Sequence, residues 1–89
     1  MKLFPKDMTA TYSTMLKFYT RPGCTLCDKA QALLAEGGFG QTFEMVNIES
    51  DLELLDQYGD KIPVVHNTRT GEKLSWPFTA SQVRDLAAD

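Results

Sequence analysis

The chain has 89 residues, 43% of them hydrophobic and 24% charged, with a formal net charge of -3. That length fits one domain around one core, and an acidic balance disfavours a phosphate-tracking nucleic-acid surface or a cationic membrane-surface helix. No stretch approaches the roughly 20 apolar residues needed to span a bilayer, and Pro5, Lys6 and Asp7 interrupt the start of the chain where a secretory signal would need an unbroken apolar run.

Residues 1–14 read as a flexible extension, with Met8 and Met15 as alternative starts, ahead of a domain at 15–89. Met15 to Tyr19 alternates apolar residues as a strand does, and Arg21, Pro22 and Gly23 end it. A helical stripe follows in Leu26, Ala30, Leu33 and Leu34. Gly37 and Gly38 stop that helix, because glycine accepts the left-handed backbone of a helix end. Thr42 to Ile48, apolar and β-branched, predicts a second strand.

Ser50 and Glu53 have the spacing of a capping box before a short helix carrying Leu52, Leu55 and Tyr58, closed by Gly59. Ile62 to His66 and Glu72 to Trp76 predict two more strands joined by a turn over Asn67 to Gly71. After Pro77, Thr79 and Gln82 make a second capping box, flanked by Phe78 and Val83 as a hydrophobic staple, and a last helix carries Val83, Leu86 and Ala87. The order is β-α-β-α-β-β-α. Its first two strands should be parallel through a right-handed crossover, and its last two antiparallel.

The chain has two cysteines, Cys24 and Cys27, in a C-x-x-C spacing. A disulfide framework is a poor reading of one such pair in a reducing cytoplasm, the compartment expected here; redox chemistry or metal binding fits the spacing. Cys24 falls where the first strand turns into the first helix. There, unpaired N–H groups and the positive end of the helix dipole favour the thiolate, the reactive form of cysteine. Cys27 lies one turn later on the same helix face. Cys24 is therefore the expected nucleophile and Cys27 the resolving thiol. Arg21, just before the loop, is a candidate to stabilise that thiolate or hold an anionic substrate; the plainer reading is an exposed arginine at a strand end. Asp28 reads as a first-turn acid complementing the dipole.

The stretch Phe18-Tyr-Thr-Arg-Pro-Gly-Cys-Thr-Leu-Cys27, the stretch Lys61-Ile-Pro-Val-Val65 and the turn Trp76-Pro-Phe78 resemble the glutaredoxin-like branch of the thioredoxin superfamily, in particular a small bacterial subgroup. The resemblance runs from Leu16 to the C-terminus. It implies an α/β thioredoxin-like fold, a four-stranded mixed sheet flanked by three helices, and dithiol–disulfide exchange at Cys24 and Cys27. It also implies a cis Pro63 facing the cysteines, which would turn the backbone of Ile62 outward to pair with an extended peptide or with glutathione. Thr79 would present a helix N-terminus to a carboxylate. Substrate contacts are thus expected at Arg21, Ile62, Pro63 and Thr79. The expected partners are a disulfide-containing protein or glutathione, with a thioredoxin reductase as an electron donor; no resident cofactor is expected, and the chain is expected to be a monomer.

The chain departs from that family in two places. Thr25 and Leu26 stand between the cysteines, where glutaredoxins carry Pro-Tyr and thioredoxins Gly-Pro. Ser75 to Ala80 replaces the Gly-Gly-x-x-Asp stretch that helps glutaredoxins hold glutathione. These departures motivate a second reading, a thioredoxin-fold binding module with little turnover. A third reading is metal binding at the C-x-x-C pair, for which a structural zinc would need four ligands. His66 is the one histidine, and it reads more simply as an exposed residue near a strand end. Tyr19, beside the loop, is a candidate for the wall of a substrate groove. Phe18, Phe43 and Tyr58 read as packing residues, and Trp76 as core or lid.

Overall fold

A computed structural model describes residues 16–88. The proposed extension at 1–14 lies outside the described residues. In chain order the elements are β1 (Leu16–Thr20), α1 (Thr25–Glu36), β2 (Glu44–Asn47), a 3-10 turn (Ile48–Ser50), α2 (Leu52–Tyr58), β3 (Val64–Asn67), β4 (Glu72–Ser75) and α3 (Ala80–Ala88). The strands form one sheet in the order β2-β1-β3-β4. β1 pairs parallel with β2, and antiparallel pairing joins β1 to β3 and β3 to β4. The expected β-α-β-α-β-β-α order and both strand directions are therefore present, in a mixed four-stranded sheet with three helices.

Alternation along the strands divides the core in two. On one face Phe18 and Val65 pack with Ala30 and Leu34 of α1, Val83 and Leu86 of α3, and with Phe43 and Phe78. On the other face Tyr19 and Val64 pack with Ile48 and with Tyr58 of α2. Two helices thus cover one side of the sheet and one short helix the other.

Several local expectations shift. The buried stripe of α1 is Cys27, Ala30 and Leu34, while Leu26 is 45% exposed. The stripe is offset by one residue because the helix turns the second cysteine, itself a small apolar group, toward the sheet. Ser50 does not cap α2. Its hydroxyl donates to the Asn47 carbonyl inside the 3-10 turn, and Asp51 is the N-cap, accepting from the Glu53 N–H at 2.8 Å. Leu52, the first residue of α2, is 83% exposed, and Leu54, Leu55 and Tyr58 carry the packing.

The end of α1 is a Schellman motif, with Gly38 at φ +87 and Phe39 N–H donating to Leu34 O at 2.7 Å and Gly38 N–H to Ala35 O at 3.2 Å. The box at α3 forms as expected: the Gln82 N–H donates to Thr79 Oγ1 at 3.1 Å and the Thr79 N–H to Gln82 Oε1 at 2.9 Å. Phe78 and Val83, the expected staple pair, are both buried in one cluster.

Asn67 is a residue whose structural weight the sequence did not suggest. Only 2% exposed, it donates from Nδ2 to the Leu86 carbonyl at 2.9 Å and accepts at Oδ1 from the N–H groups of Arg69 and Thr70. One side chain thereby orders the β3–β4 turn and ties it to α3. Replacing it strands buried partners, which costs about 1–3 kcal/mol for each group left unsatisfied. Asn67→Ala is expected to lower unfolding free energy by about 2–4 kcal/mol in urea denaturation; a change within 0.5 kcal/mol would show that the turn does not depend on it.

Candidate active site

The register gathers four segments at one end of the sheet. β1 ends at Thr20, opposite Asn47 at the end of parallel β2. In the antiparallel direction Tyr19 faces Val64, so Pro63 lies one step beyond, beside the chain that leads to the cysteines. The Trp76 N–H donates to the Pro63 carbonyl at 3.0 Å, drawing in the segment that enters α3. The Ile62–Pro63 and Trp76–Pro77 peptide bonds are both cis.

Between β1 and α1 the chain reverses over Pro22 and Gly23. Gly23 sits at φ +80, a backbone region that side-chain-bearing residues rarely adopt. That turn delivers Cys24 as the N-cap of α1, extended at φ -90 and ψ 107. Its Sγ accepts a hydrogen bond from the Cys27 N–H at 3.1 Å, and its carbonyl accepts from the Asp28 N–H at 3.2 Å. The cysteine thus occupies the place usually taken by Ser, Thr, Asp or Asn, with sulfur receiving one of the helix's unpaired amides. Cys24 and Cys27 are joined by a disulfide, their Cα atoms 5.2 Å apart. Cys24 is half-buried and Cys27 is 1% exposed. In the dithiol form the amide and dipole that meet Cys24 Sγ stabilise its thiolate, while Cys27 is screened from any partner except its neighbour. The half-buried Cys24 thus sits at the helix cap, with the buried Cys27 one turn behind it.

The family profile described as Glutaredoxin-like domain (DUF836) matches residues 15–86. The chain belongs to this glutaredoxin-like family. The crystal structure of a Northeast Structural Genomics target protein from X. campestris is similar to it at 38% identity and TM-score 0.68, covering 79% of this chain and 91% of that one. A solution structure of that target gives 38% identity and TM-score 0.69, covering 81% of this chain and 90% of that one. No curated protein matches the chain. The fold of this glutaredoxin-like protein is thioredoxin-like, and its C-x-x-C pair fits a thiol–disulfide redox role.

Of the other expected site residues, Arg21, Ile62 and Thr79 each have donors engaged within the protein. Arg21 donates from Nε and Nη2 to Glu49 Oε2 at 3.1 and 2.8 Å. It helps line an open cleft of about 260 Å³ beside the loop, with Pro22, Gly23, Asp28 and Asn47. Pro63 is fully buried. The side chain of Ile62 packs on the Tyr19–Tyr58 cluster, and its N–H donates to the Tyr58 carbonyl at 3.2 Å. Thr79 engages its hydroxyl and its N–H in the α3 cap. Among the described residues no group of three or more His, Cys, Asp or Glu side chains is placed to hold a metal ion.

Tyr19 is not a groove wall. It is buried, stacked on Tyr58 with ring centroids 4.4 Å apart, and its hydroxyl lies 3.1 Å from His66 Nδ1. Its alternation with Phe18 required this, since neighbours on a strand face opposite sides and both sides are covered by helices. Burial, then the Tyr58 hydroxyl and Glu44, push the Tyr19 phenol from 10 up to about 12. His66 is half-buried rather than exposed. Burial, then Lys73 and Lys17, hold its pKa below the ordinary 6.5. Neither the Tyr19–His66 contact nor the Arg21–Glu49 pair, 28 residues apart in sequence, carries a local sequence signal; strand parity was the one clue to the first.

The lowered His66 pKa fixes a sign. Between the folded midpoint and 6.5 the unfolded chain binds more protons, so stability falls as pH drops through that window and levels off below it. NMR titration of His66 is expected to give a midpoint under 6.5, and His66→Gln to flatten that part of the stability profile. A midpoint above 6.5 would contradict the burial described here.

Proposed function

We propose that this glutaredoxin-like protein is a thiol–disulfide oxidoreductase that reduces protein disulfides or glutathione mixed disulfides in a reducing cytoplasm, as a monomer. The observation that carries the reading is the Cys27 N–H directed at Cys24 Sγ from the first turn of α1. In the forward direction the Cys24 thiolate attacks one sulfur of a substrate disulfide. A Cys24–substrate disulfide forms, the substrate S–S bond breaks, and the departing thiolate takes a proton. Cys27, losing its proton, then attacks Cys24 Sγ; the intramolecular disulfide forms and the second substrate thiolate leaves. The substrate gains two electrons and the protein loses two. Two thiols of glutathione, or the dithiol of a thioredoxin reductase, return it to the reduced form.

In this reading Pro63 closes the site beneath the disulfide, and the Ile62 carbonyl accepts a hydrogen bond from the substrate backbone. Arg21 meets an anionic substrate after exchanging Glu49 for it, and the start of α3 behind Thr79 faces a carboxylate. The engaged donors of Arg21, Ile62 and Thr79 support protein disulfides over glutathione as the better substrates. They also favour the second reading, a binding module that turns over slowly.

Cys24→Ser is expected to reduce disulfide-reductase turnover to background, and Cys27→Ser to accumulate mixed disulfides seen as added mass under non-reducing conditions. Full turnover in Cys24→Ser would overturn the assignment. Reversible oxidation of both cysteines without turnover on any disulfide would select the binding module.

A further inference from the structure

The face of the sheet under α2 carries a cationic cleft that the exchange chemistry leaves unused. α2 has seven residues, too few to cover the whole face. By register, Glu44, Lys17, His66 and Lys73 form a row across all four strands. At one end of the row Lys17 is neutralised by Glu44 at 2.8 Å. At the other, Lys73 has no carboxylate partner among the described residues, and its Nζ lies 5.2 Å from the centre of the Tyr58 ring. Lys73 and Ser75 on β4, Val64 on β3, and Gln57, Tyr58 and Lys61 at the end of α2 enclose an open cleft of about 330 Å³.

Charge and shape in this cleft agree. Two lysines, Lys61 and Lys73, line it together with Tyr58 and Val64, in a protein of net charge -3. Among the described residues Lys61 has only Asp60 as an ion-pair partner, at 3.8 Å and with 90% of the acid's side chain exposed. The end of a helix normally repels anions through its free carbonyls. Here the Tyr58 carbonyl accepts from the N–H groups of Lys61 and Ile62, and the Gln57 carbonyl from Lys61 Nζ at 3.3 Å. Lys73 also faces His66 across the β3–β4 register, and after burial its charge is the next cause that holds the His66 pKa below 6.5. Val64 and Ser75 are register partners that adjoin Pro63 and Trp76, so the cleft reaches the cysteine end of the sheet, on the opposite face from α1.

We propose that this cleft is a docking subsite for the carboxylates of an acidic segment flanking the target disulfide of a protein substrate. The proposal deepens the oxidoreductase reading and rests on it for the word substrate. Lys61 and Lys73 supply the attraction, Ser75 and Gln57 the directional hydrogen bonds, and the edge position of β4 leaves room for an extended chain. A segment held there would reach the Pro63 loop, because the paired residues Val64 and Ser75 of the cleft adjoin Pro63 and Trp76.

The test uses the reduced full chain and short peptides in which serine replaces the reactive cysteine, so that binding is read without exchange. One peptide carries Asp and Glu flanks, a second Asn and Gln, and S-methylglutathione is the small-molecule control. In amide NMR titrations the acidic peptide is expected to shift Lys61, Val64, Lys73 and Ser75, and the amide-flanked peptide to leave them unmoved. Lys73→Gln and Lys61→Gln are each expected to weaken the acidic peptide by up to about fivefold, the effect of losing one exposed charge contact. Both lysines are on the surface, and their own hydrogen bonds are few, so these variants fold. Equal binding of the two peptides, binding unchanged by both substitutions, or shifts in the cleft from S-methylglutathione alone would overturn the proposal. Cysteine chemistry plays no part in this titration, so its failure leaves the exchange reaction standing, while loss of exchange is read separately from the cysteine variants.

Discussion

An α-helix begins with amide groups that its own backbone leaves without acceptors, and in α1 one of these meets a sulfur. The contact from the Cys27 N–H to Cys24 Sγ is the constraint on which the rest of the site depends. It requires the chain to leave β1, reverse within two residues and enter a helix with a cysteine at the cap. Pro22 and Gly23 make the reversal possible, Gly23 through its positive φ. It also requires Cys27 to be one turn along, on the face that packs against the sheet, which is why Cys27 rather than Leu26 joins the buried stripe of α1. Helix stability and the proposed sulfur chemistry are therefore linked: the negative charge of a Cys24 thiolate is also the charge that a helix N-terminus favours.

The sheet serves this junction by bringing distant segments to it. Its antiparallel β1–β3 pairing carries Pro63 alongside the cysteine loop, and its parallel β1–β2 pairing brings Glu49 within reach of Arg21. The hydrogen bond from Trp76 to Pro63 adds the approach to α3. The two faces then divide the work. The α1–α3 face buries aliphatic and phenylalanine side chains and holds the redox helix in place. The α2 face buries Tyr19 and Tyr58 and, below the short helix, leaves a row of charged groups open.

Much of the fold was legible because its signals are local. The alternation at Leu16 to Tyr19, the glycines after α1 and the Thr79–Gln82 box each specify one element by short-range physics, and all appear where expected. The motif at Cys24 and Cys27 was legible for the same reason, since a strand, a turn and a helix in immediate succession fix where the cysteines sit. What was not legible is set by partners remote in sequence. Nothing near Asn67 announces that its side chain reaches Leu86, nor anything near Arg21 that Glu49 accepts both its hydrogen bonds. The cap of α2 was misplaced by one residue because Ser50 and Asp51 are both good caps, and the preceding 3-10 turn engages the serine. Ile62, Pro63 and Thr79 are expected as site residues through resemblance alone, and the engaged donors of Ile62 and Thr79 become visible only in three dimensions.

The proposed chemistry requires Cys24 and Cys27 to form one reversible two-electron couple. The direct measurement is equilibration of the protein over a series of dithiol/disulfide buffers, followed by the 13C shifts of both cysteine β-carbons. A single transition is expected, in which both residues change together, within the same molecule, at a midpoint between about -270 and -120 mV, the span of dithiol proteins from strong reductant to strong oxidant. Cysteines that oxidise independently, pair only between molecules, or stay reduced across the whole series would contradict it.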